Sequence, residues 1–435
     1  MNPLRKVCPL LAGISALIVI AGLGLDHTAL WQAAAVAAAV SLAIGLGAVR
    51  SLKGYQFTAW ILAAVVAAMM YPAAFLQWGE LDLRNKWVIL IVVQLVMFGM
   101  GTQMSLHDFA GVAKAPLGVL VGIVCHFSVM PIVGWMLTKV FHFEPEIAAG
   151  IILIGSCSSG LASNVMTYIA KANLPLSVTV TAVTTMVAPI MTPLLMKLLA
   201  GTLVEVRFLG LMVEIIKIVL VPIAAALIHD HLKRVTDGRR RGWMLAQIVC
   251  GIGAVTIFTA HDHAWALGQS PGLRLMLELF AFALGAVAVG VTYHQITRIF
   301  TRLDTRMPLV SMAGIVYFTT VTTAAGRDNL LKVGALLFLA SMLHNAAGYF
   351  FGYWLSRGAG LDRNSARSVA FEVGLQNGGM ASGLAGAMGK LATVGLAAAI
   401  FSPWMNISGS ILANHWGRRP APREKRDGEG ARAEA

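Results

Sequence analysis

The sequence predicts an all-α polytopic protein that crosses a membrane many times. It has 435 residues, of which 57% are hydrophobic and 12% are charged, and its mean hydropathy is +0.75. A soluble domain carries about 25% charged residues. The apolar residues form about fourteen runs, each long enough for a helix to cross a bilayer.

The predicted spans follow one another with short loops between them. We place them at 7–25, 29–48, 57–76, 87–104, 116–138, 146–169, 176–199, 208–230, 243–260, 273–296, 308–325, 332–356, 366–388 and 391–414. The first run follows Arg5 and Lys6, as in a signal peptide, but has no clean small-residue cleavage site. Asp26 and His27 lead directly into the next apolar run, so we predict a retained helix.

The positions of Lys and Arg predict the orientation of the chain. With the N-terminus inside, the inner loops carry Arg50, Lys53, Lys233-Arg234, Arg239-Arg240-Arg241, Arg298, Arg302, Arg306, Arg357, Arg363 and Arg367. Two of the opposite loops carry carboxylates, and removing one span would reverse the side of every later loop. We therefore predict a multi-pass protein of the inner (plasma) membrane with both termini in the cytoplasm.

The distribution of charge and of cysteines argues against nucleic-acid binding and against a disulfide or zinc framework. The formal charge of +13 is spread over short loops and forms no basic patch with interleaved aromatic residues, which argues against nucleic-acid binding. The cysteines Cys8, Cys125, Cys157 and Cys250 all lie in apolar runs without CxxC spacing. They support neither a disulfide framework nor a zinc site.

One predicted span contains a polar segment that is energetically costly inside a membrane. Phe371–Gly379 contains Glu372, the amide pair Gln376-Asn377 and three glycines. An ionisable group at that depth costs roughly 2.5 kcal/mol or more and usually marks a pathway or a binding site. Because glycines let a helix unwind, freed carbonyls can join the side chains in holding an ion.

An internal repeat gives this segment a counterpart. Shifted by 219 residues, Gly155–Lys171 lies over Gly374–Lys390 without a gap, and the same shift lays most of the first seven spans over the last seven. Small-residue patches also recur by chance in helices that pack through them. An odd number of spans in each half gives the halves opposite orientations, however, and inverted repeats with interrupted helices are typical of transporters.

Two motifs resemble a known family. Ser163-Asn164-Val165-Met166-Thr167-Tyr168, followed by Leu176–Thr181, resembles the first half of the bile acid:sodium symporter family. Glu372-Val373-Gly374-Leu375-Gln376-Asn377 resembles its second signature, and Leu343–Tyr349 fits the helix before it. The resemblance covers about 55–230 and 305–414. It implies a panel domain and a core domain built from ten helices, in which two broken helices, 146–169 and 366–388, cross.

On this resemblance we predict five regions. They are an extra helix pair at 1–54, a first family half at 55–230, a basic loop with an inserted helix pair at 231–304, a second family half at 305–416, and a disordered basic cytoplasmic tail at 417–435. The four extra helices are predicted to buttress the panel or to form an oligomer interface.

The resemblance implies two sodium sites. The first would use Ser163, Asn164, Ser177, Thr181 and Glu372, which are the oxygen ligands that hard cations prefer. The second would use Glu372, carbonyls around Val373 and Leu375, Gln376, and position 126, where the family has glutamine and this chain has His126. His126 is either a neutral core histidine or a titrating group whose proton replaces the second sodium.

The substrate is expected to be an organic anion. Half-helix N-termini that face the crossover favour negative charge, and Asn377 and Ser382 are the nearest candidates to contact it. The family often has Pro-Gly-Gly-Thr before the first motif, whereas this chain has Ser158-Ser159-Gly160-Leu161. We therefore expect a carboxylate metabolite (a 2-keto acid, pantoate-like acid or sterol acid) and do not assume a bile acid.

The resemblance implies a secondary active transporter that couples this anion to inward sodium by alternating access. It implies sodium as the coupling ion, no organic cofactor and no enzymatic activity, and it leaves the oligomeric state open. The alternatives are a proton-coupled or arsenite-type exporter using Cys157 and Glu372, an intramembrane metal-dependent enzyme using His126, His344 and Glu372, and a transport-dead sensor or scaffold.

Other polar residues have simpler interpretations. Glu214 and Lys217 are one turn apart and predict a local ion pair. His344 and Asn345 fit hydrogen bonding between helices as well as substrate contact. His261-Asp262-His263 could bind a metal, although no further ligand pattern accompanies it.

Overall fold

The computed structural model describes residues 3–49, 55–262 and 271–419. Its helices are α1 (Pro3–Gly24), α2 (Thr28–Leu46), α3 (Gln56–Met70), α4 (Lys86–Gly101), α5 (Gly111–Lys114), α6 (Pro116–Phe141), α7 (Pro145–Ser156), α8 (Ala162–Ile169), α9 (Leu174–Ala200), α10 (Phe208–Ile215), α11 (Val221–Leu232), α12 (Asp237–Asp262), α13 (Pro271–Ile299), α14 (Leu303–Ala325), α15 (Arg327–Gly358), α16 (Arg363–Gly374), α17 (Gly378–Ala387) and α18 (Val394–Arg418). Arg50, Lys53, His263 and positions 420–435 of the predicted tail lie outside the described residues.

The predicted all-α polytopic class is confirmed. Ten of the described helical segments are long and apolar enough to cross a membrane. The other four predicted spans coincide with the shorter helices α3 and α4 and with two interrupted pairs, α7/α8 and α16/α17. Within the described ranges the sheet is limited to a two-residue hairpin, β1 (Gln77–Trp78) with β2 (Leu81–Asp82).

Both interrupted helices break at the segments that the repeat singles out. α7 ends at Ser156 and α8 begins at Ala162, while α16 ends at Gly374 and α17 begins at Gly378. The two connecting segments run antiparallel past each other, with Ser159 paired to Gln376. The protein therefore contains two broken helices whose breaks meet.

Backbone hydrogen bonds join the two breaks. Asn377 N donates to Ser158 O over 2.9 Å, and Gly160 N donates to Leu375 O over 3.1 Å. Since backbone groups in a membrane must be satisfied within the protein, each break supplies partners that the other has lost. Asn377 and Ser158 are equivalent positions of the 219-residue repeat, so this contact joins corresponding residues of the two halves.

The helices form two groups around the crossover. The broken helices pack against α6, α9, α15 and α18, and we call this set the core bundle. Beside it, α14 packs against α3 and α4, and α4 packs against α11. α10 leads into α11 through a π-helical turn at Ile216–Leu220 and also packs on α9. We call α3, α4, α10, α11 and α14 the flanking layer. α17 joins the groups through contacts with α4 and α14. The resemblance predicts a division into a core and a panel domain. That division stays a prediction, in which the core bundle would be the core and the flanking layer the panel.

The four extra helices pack on the flanking layer. α1 and α2 form a pair in which α2 contacts α3, and α12 and α13 form a pair in which α13 contacts α11. Lys217 Nζ lies 2.6 Å from a Glu214 oxygen, as predicted, and also 3.0 Å from Glu278 on α13. At the other end of α13, Tyr293 OH donates to Asp304 over 3.1 Å.

Replacing Gly160 with alanine is expected to destabilise the crossover. A Cβ atom there would lie 2.8 Å from the backbone oxygen of Gln376, so the two breaks would have to separate. Overpacking of this kind costs about 1–3 kcal/mol. Gly160→Ala should therefore lower the melting temperature of the purified protein. Gly285→Ala, where nothing lies within 4 Å, is the control and should not. Equal melting temperatures would contradict the tight contact.

Candidate functional site

The centre of the candidate site is the carboxylate of Glu372. This residue is fully buried and lies two residues before the end of α16. Thr181 Oγ1 donates to Glu372 Oε2 over 2.8 Å, and Ser177 Oγ is hydrogen-bonded to Glu372 Oε1. Ser177 and Thr181 are four residues apart on α9, so one face of that helix presents both hydroxyls.

The start of α8 completes the cluster. Asn164 Oδ1 lies 2.9 Å from Ser177 Oγ and 3.3 Å from Thr181 Oγ1. Ser163 Oγ lies 3.3 Å from Thr181 Oγ1 and donates to Gly160 O over 2.7 Å. The structure thus brings together all five residues predicted for the first sodium site, from the consecutive helices α8 and α9 and from α16, which is distant in the sequence.

This cluster has more acceptors than protons. Two carboxylate oxygens and the Asn164 oxygen face the hydroxyls of Ser177 and Thr181, and each hydroxyl has one proton to donate. The Ser163 hydroxyl is directed to Gly160 O. A hard cation is the group that suits such a surplus of oxygen lone pairs.

The residues predicted for the second site also meet, but most of their backbone oxygens already accept hydrogen bonds. His126 is fully buried, with Nδ1 2.9 Å from Glu372 O and Nε2 2.8 Å from Cys157 O. Gln376 Nε2 donates to Val373 O over 2.7 Å. Leu375 O accepts from Gly160 N. Gln376 Oε1 is the one oxygen of this set with no hydrogen-bond partner among the described residues.

Asn345 makes the predicted hydrogen bond between helices, but its position at a helix break was not predicted. Asn345 Nδ2 donates to Gly374 O, the last carbonyl of α16, over 2.8 Å, and Ser408 Oγ donates to Asn345 Oδ1 over 2.5 Å. His126 and Asn345 are separated by the same 219 residues as the two breaks. Each half of the repeat therefore uses a side chain at the same position to hold carbonyls at a helix break, a relation that the repeat could have revealed.

The candidate substrate contacts lie on α17. Asn377 caps this helix, because its Oδ1 accepts from Met380 N over 3.0 Å, while its Nδ2 is 3.5 Å from Ser158 Oγ. Ser382 is buried one turn further on. On α14, which packs against α17, the buried hydroxyls of Thr322 and Thr323 have no hydrogen-bond partner in the described part of the chain. No pattern in the sequence distinguishes these two threonines.

The residues of the metal-enzyme alternative are not arranged as metal ligands. His126 contacts the backbone oxygen of Glu372 and not its carboxylate, and His344 Nε2 is bonded to Met130 O at 2.8 Å. Among the residues that the structure describes, no three His, Cys, Asp or Glu side chains form a metal-binding group. His344 and Asn345 both make hydrogen bonds between helices, the simpler of their two predicted roles.

Comparisons with known proteins agree with the motifs. The family model described as the sodium bile acid symporter family matches residues 90–261. The chain is 32% identical over 370 residues to an uncharacterised sodium-dependent transporter of Bacillus subtilis, YocS, covering 84% of this chain and 92% of that protein. It is 28% identical to a probable chloroplastic sodium/metabolite cotransporter of Arabidopsis thaliana, over 85% of this chain and 75% of that protein. It is 27% identical to the human ileal sodium/bile acid cotransporter, over 67% and 66% of the two chains.

Proposed function

The chain belongs to the sodium bile acid symporter family, and from that premise we propose that it is a secondary active transporter which couples the uptake of an organic anion to sodium by alternating access. The observation that carries the proposal is the oxygen cluster around Glu372 beside the crossover of two broken helices. As in the predicted orientation, the protein would lie in the inner membrane with both termini in the cytoplasm.

Sodium would bind among Ser163, Asn164, Ser177, Thr181 and Glu372. An ionised Glu372 gives this buried cluster one negative charge, which is costly inside a membrane unless a cation balances it. Sodium would supply that charge and use the surplus acceptor lone pairs. Because its ligands come from α8, α9 and α16, the bound ion would hold both broken helices in one arrangement.

A proton bound to the His126 ring would take the place of a second sodium ion. Its ring lies between Cys157 O, next to the end of α7, and Glu372 O, near the end of α16. A neutral imidazole has one N–H and satisfies one of these carbonyls, whereas the doubly protonated ring satisfies both. Val373 O and Leu375 O already accept hydrogen bonds, so that, apart from the Glu372 carboxylate of the first site, Gln376 Oε1 is the one unpartnered oxygen of the doubtful site among the described residues. One sodium per cycle is the stoichiometry we propose.

The anion would bind at the N-terminal end of α17. The first turn of a helix presents free N–H groups and a partial positive charge to an anionic group. Asn377 stands at that end with its Nδ2 available as a donor, since its only contact there is the long one to Ser158. Ser382 and the two α14 threonines would add hydroxyls, which suits a carboxylate metabolite or sterol acid.

Sodium is expected to stabilise the protein through Glu372. A ligand present at 100 times its Kd stabilises the folded state by about 2.7 kcal/mol. Sodium should therefore raise the melting temperature of the purified wild type more than potassium or choline does. Glu372→Gln should abolish the difference, whereas Glu146→Gln, which removes a carboxylate outside the cluster, should keep it. A wild type that does not distinguish sodium from potassium would contradict the proposed coupling.

The number of bound sodium ions tests the role of His126. Radioactive sodium at saturation should give one ion per wild-type protein, and His126→Gln, which restores an amide at this position, should give two. His344→Gln, another buried histidine bonded to a carbonyl, is the control and should leave one ion bound. Two ions in the wild type and no change in His126→Gln would overturn the assignment.

Substrate charge can be tested at Asn377. In the presence of sodium, a panel of carboxylic acids should contain one that raises the melting temperature, while its uncharged amide does not. Asn377→Asp keeps the helix cap but adds a negative charge, so it should abolish this shift. Asn173→Asp makes the same exchange at the cap of α9, where the backbone angles are nearly identical, and should retain it. Equal stabilisation by the amide would argue against an anionic substrate.

A further inference from the structure

A cleft lies at the elbow between α13 and α14, away from the crossover. Its volume is about 620 Å³, and its lining extends from Ile296 near the end of α13 to Arg306 in the first turns of α14. Ile299, Phe300, Arg302 and Leu303 complete most of the wall. Apolar side chains and two guanidinium groups therefore border the same space.

The two arginines have no negative partner in the described ranges. Asp304 stands between them in the sequence, but its carboxylate points into the protein. It lies 2.7 Å from Lys233 Nζ and 3.1 Å from His229 Nε2, and accepts a hydrogen bond from Tyr293. No carboxylate of a described residue forms an ion pair with Arg302 or Arg306, and both residues are exposed. The cleft thus has two uncompensated positive charges.

The apolar part of the wall is exposed. Ile299 is 76% exposed and Phe300 is 64% exposed, although both directly precede the arginine-bearing turn. In the predicted orientation this elbow lies at the inner surface of the membrane, where hydrocarbon meets the polar headgroups. A ligand that fits both parts of the wall must combine an anionic group with apolar chains.

We propose that this cleft binds an anionic phospholipid. Arg302 and Arg306 would donate hydrogen bonds to the phosphate, since guanidinium groups bind phosphate oxygens strongly and often in pairs. The acyl chains would lie along Ile296 and Ile299. Basic pockets between membrane helices on the inner side are suited to such headgroups. The site is independent of the proposed transport function, because none of its residues contributes to the crossover.

The test compares phosphatidylglycerol with phosphatidylcholine on the full chain in detergent. Native mass spectrometry would count the bound lipids, and thermal unfolding would report stabilisation. Phosphatidylglycerol should bind and raise the melting temperature, whereas phosphatidylcholine should do so much less. The double variant Arg302→Gln/Arg306→Gln should bind phosphatidylglycerol about a hundredfold more weakly, since two charge-assisted hydrogen bonds are lost and each costs about a factor of ten.

Matched variants separate this site from general surface charge. Arg239→Gln/Arg241→Gln removes the same charge from the same predicted side, outside the cleft, and should keep the wild-type affinity. Arg302→Lys/Arg306→Lys keeps both positive charges and should retain most of the affinity for phosphatidylglycerol. Unchanged melting temperatures in phosphatidylcholine would verify that the variants fold. Equal weakening in the two glutamine pairs, or no weakening in either, would overturn the proposal. If glycerol phosphate alone stabilised the protein equally, the cleft would be a site for a small anion and the lipid proposal would be wrong.

Discussion

The structure depends on satisfying the backbone hydrogen bonds where two helices are interrupted. Each break frees carbonyls and N–H groups that a membrane cannot hydrate. Some of these groups form hydrogen bonds with groups of the other break, as Asn377 N does with Ser158 O. Others are held by side chains, His126 at Cys157 O and Asn345 at Gly374 O. The crossover is therefore a closed network, and few backbone oxygens remain for an ion.

Because the backbone groups of the crossover are already hydrogen-bonded, the proposed sodium ligands are side chains that lie beside it. Glu372 presents its carbonyl to His126 on α6 and its carboxylate to Ser177 and Thr181 on α9. The first contact is a fixed hydrogen bond within the core bundle. The second is a cluster of side-chain oxygens with too few protons, which an exchangeable cation can complete. One residue thus connects the structural role of α16 to its proposed role in transport.

The sequence predicted the features that depend on local pattern and on the repeat. The fold class follows from the apolar runs, and the two breaks follow from glycines and polar residues at repeated positions. The spacing of Ser177 and Thr181 places them on one face of α9, but their partners could be assigned only through the family resemblance. The double contact of His126 and the pairing of Lys217 with Glu278 join residues 246 and 61 positions apart, respectively. Periodicity predicts which face of a helix is buried and not which distant residue it meets, so these contacts required the structure.

The surfaces between helices also indicate where movement would occur. α13 is tied to the flanking layer by polar contacts near both ends, at Glu278 with Lys217 and at Tyr293 with Asp304. Breaking them would separate the half-buried Glu278 carboxylate and the buried Tyr293 hydroxyl from these partners, which is costly. α17 meets α4 differently, because Gly379, Gly383 and Gly386 face the apolar side chains of Met97, Val93 and Ile89. Apolar contacts over glycines are not directional, so α17 can shift along α4 without losing specific bonds. In the proposed alternating-access cycle, the core bundle would move past the flanking layer, and the inserted helices α12 and α13 would stay with that layer.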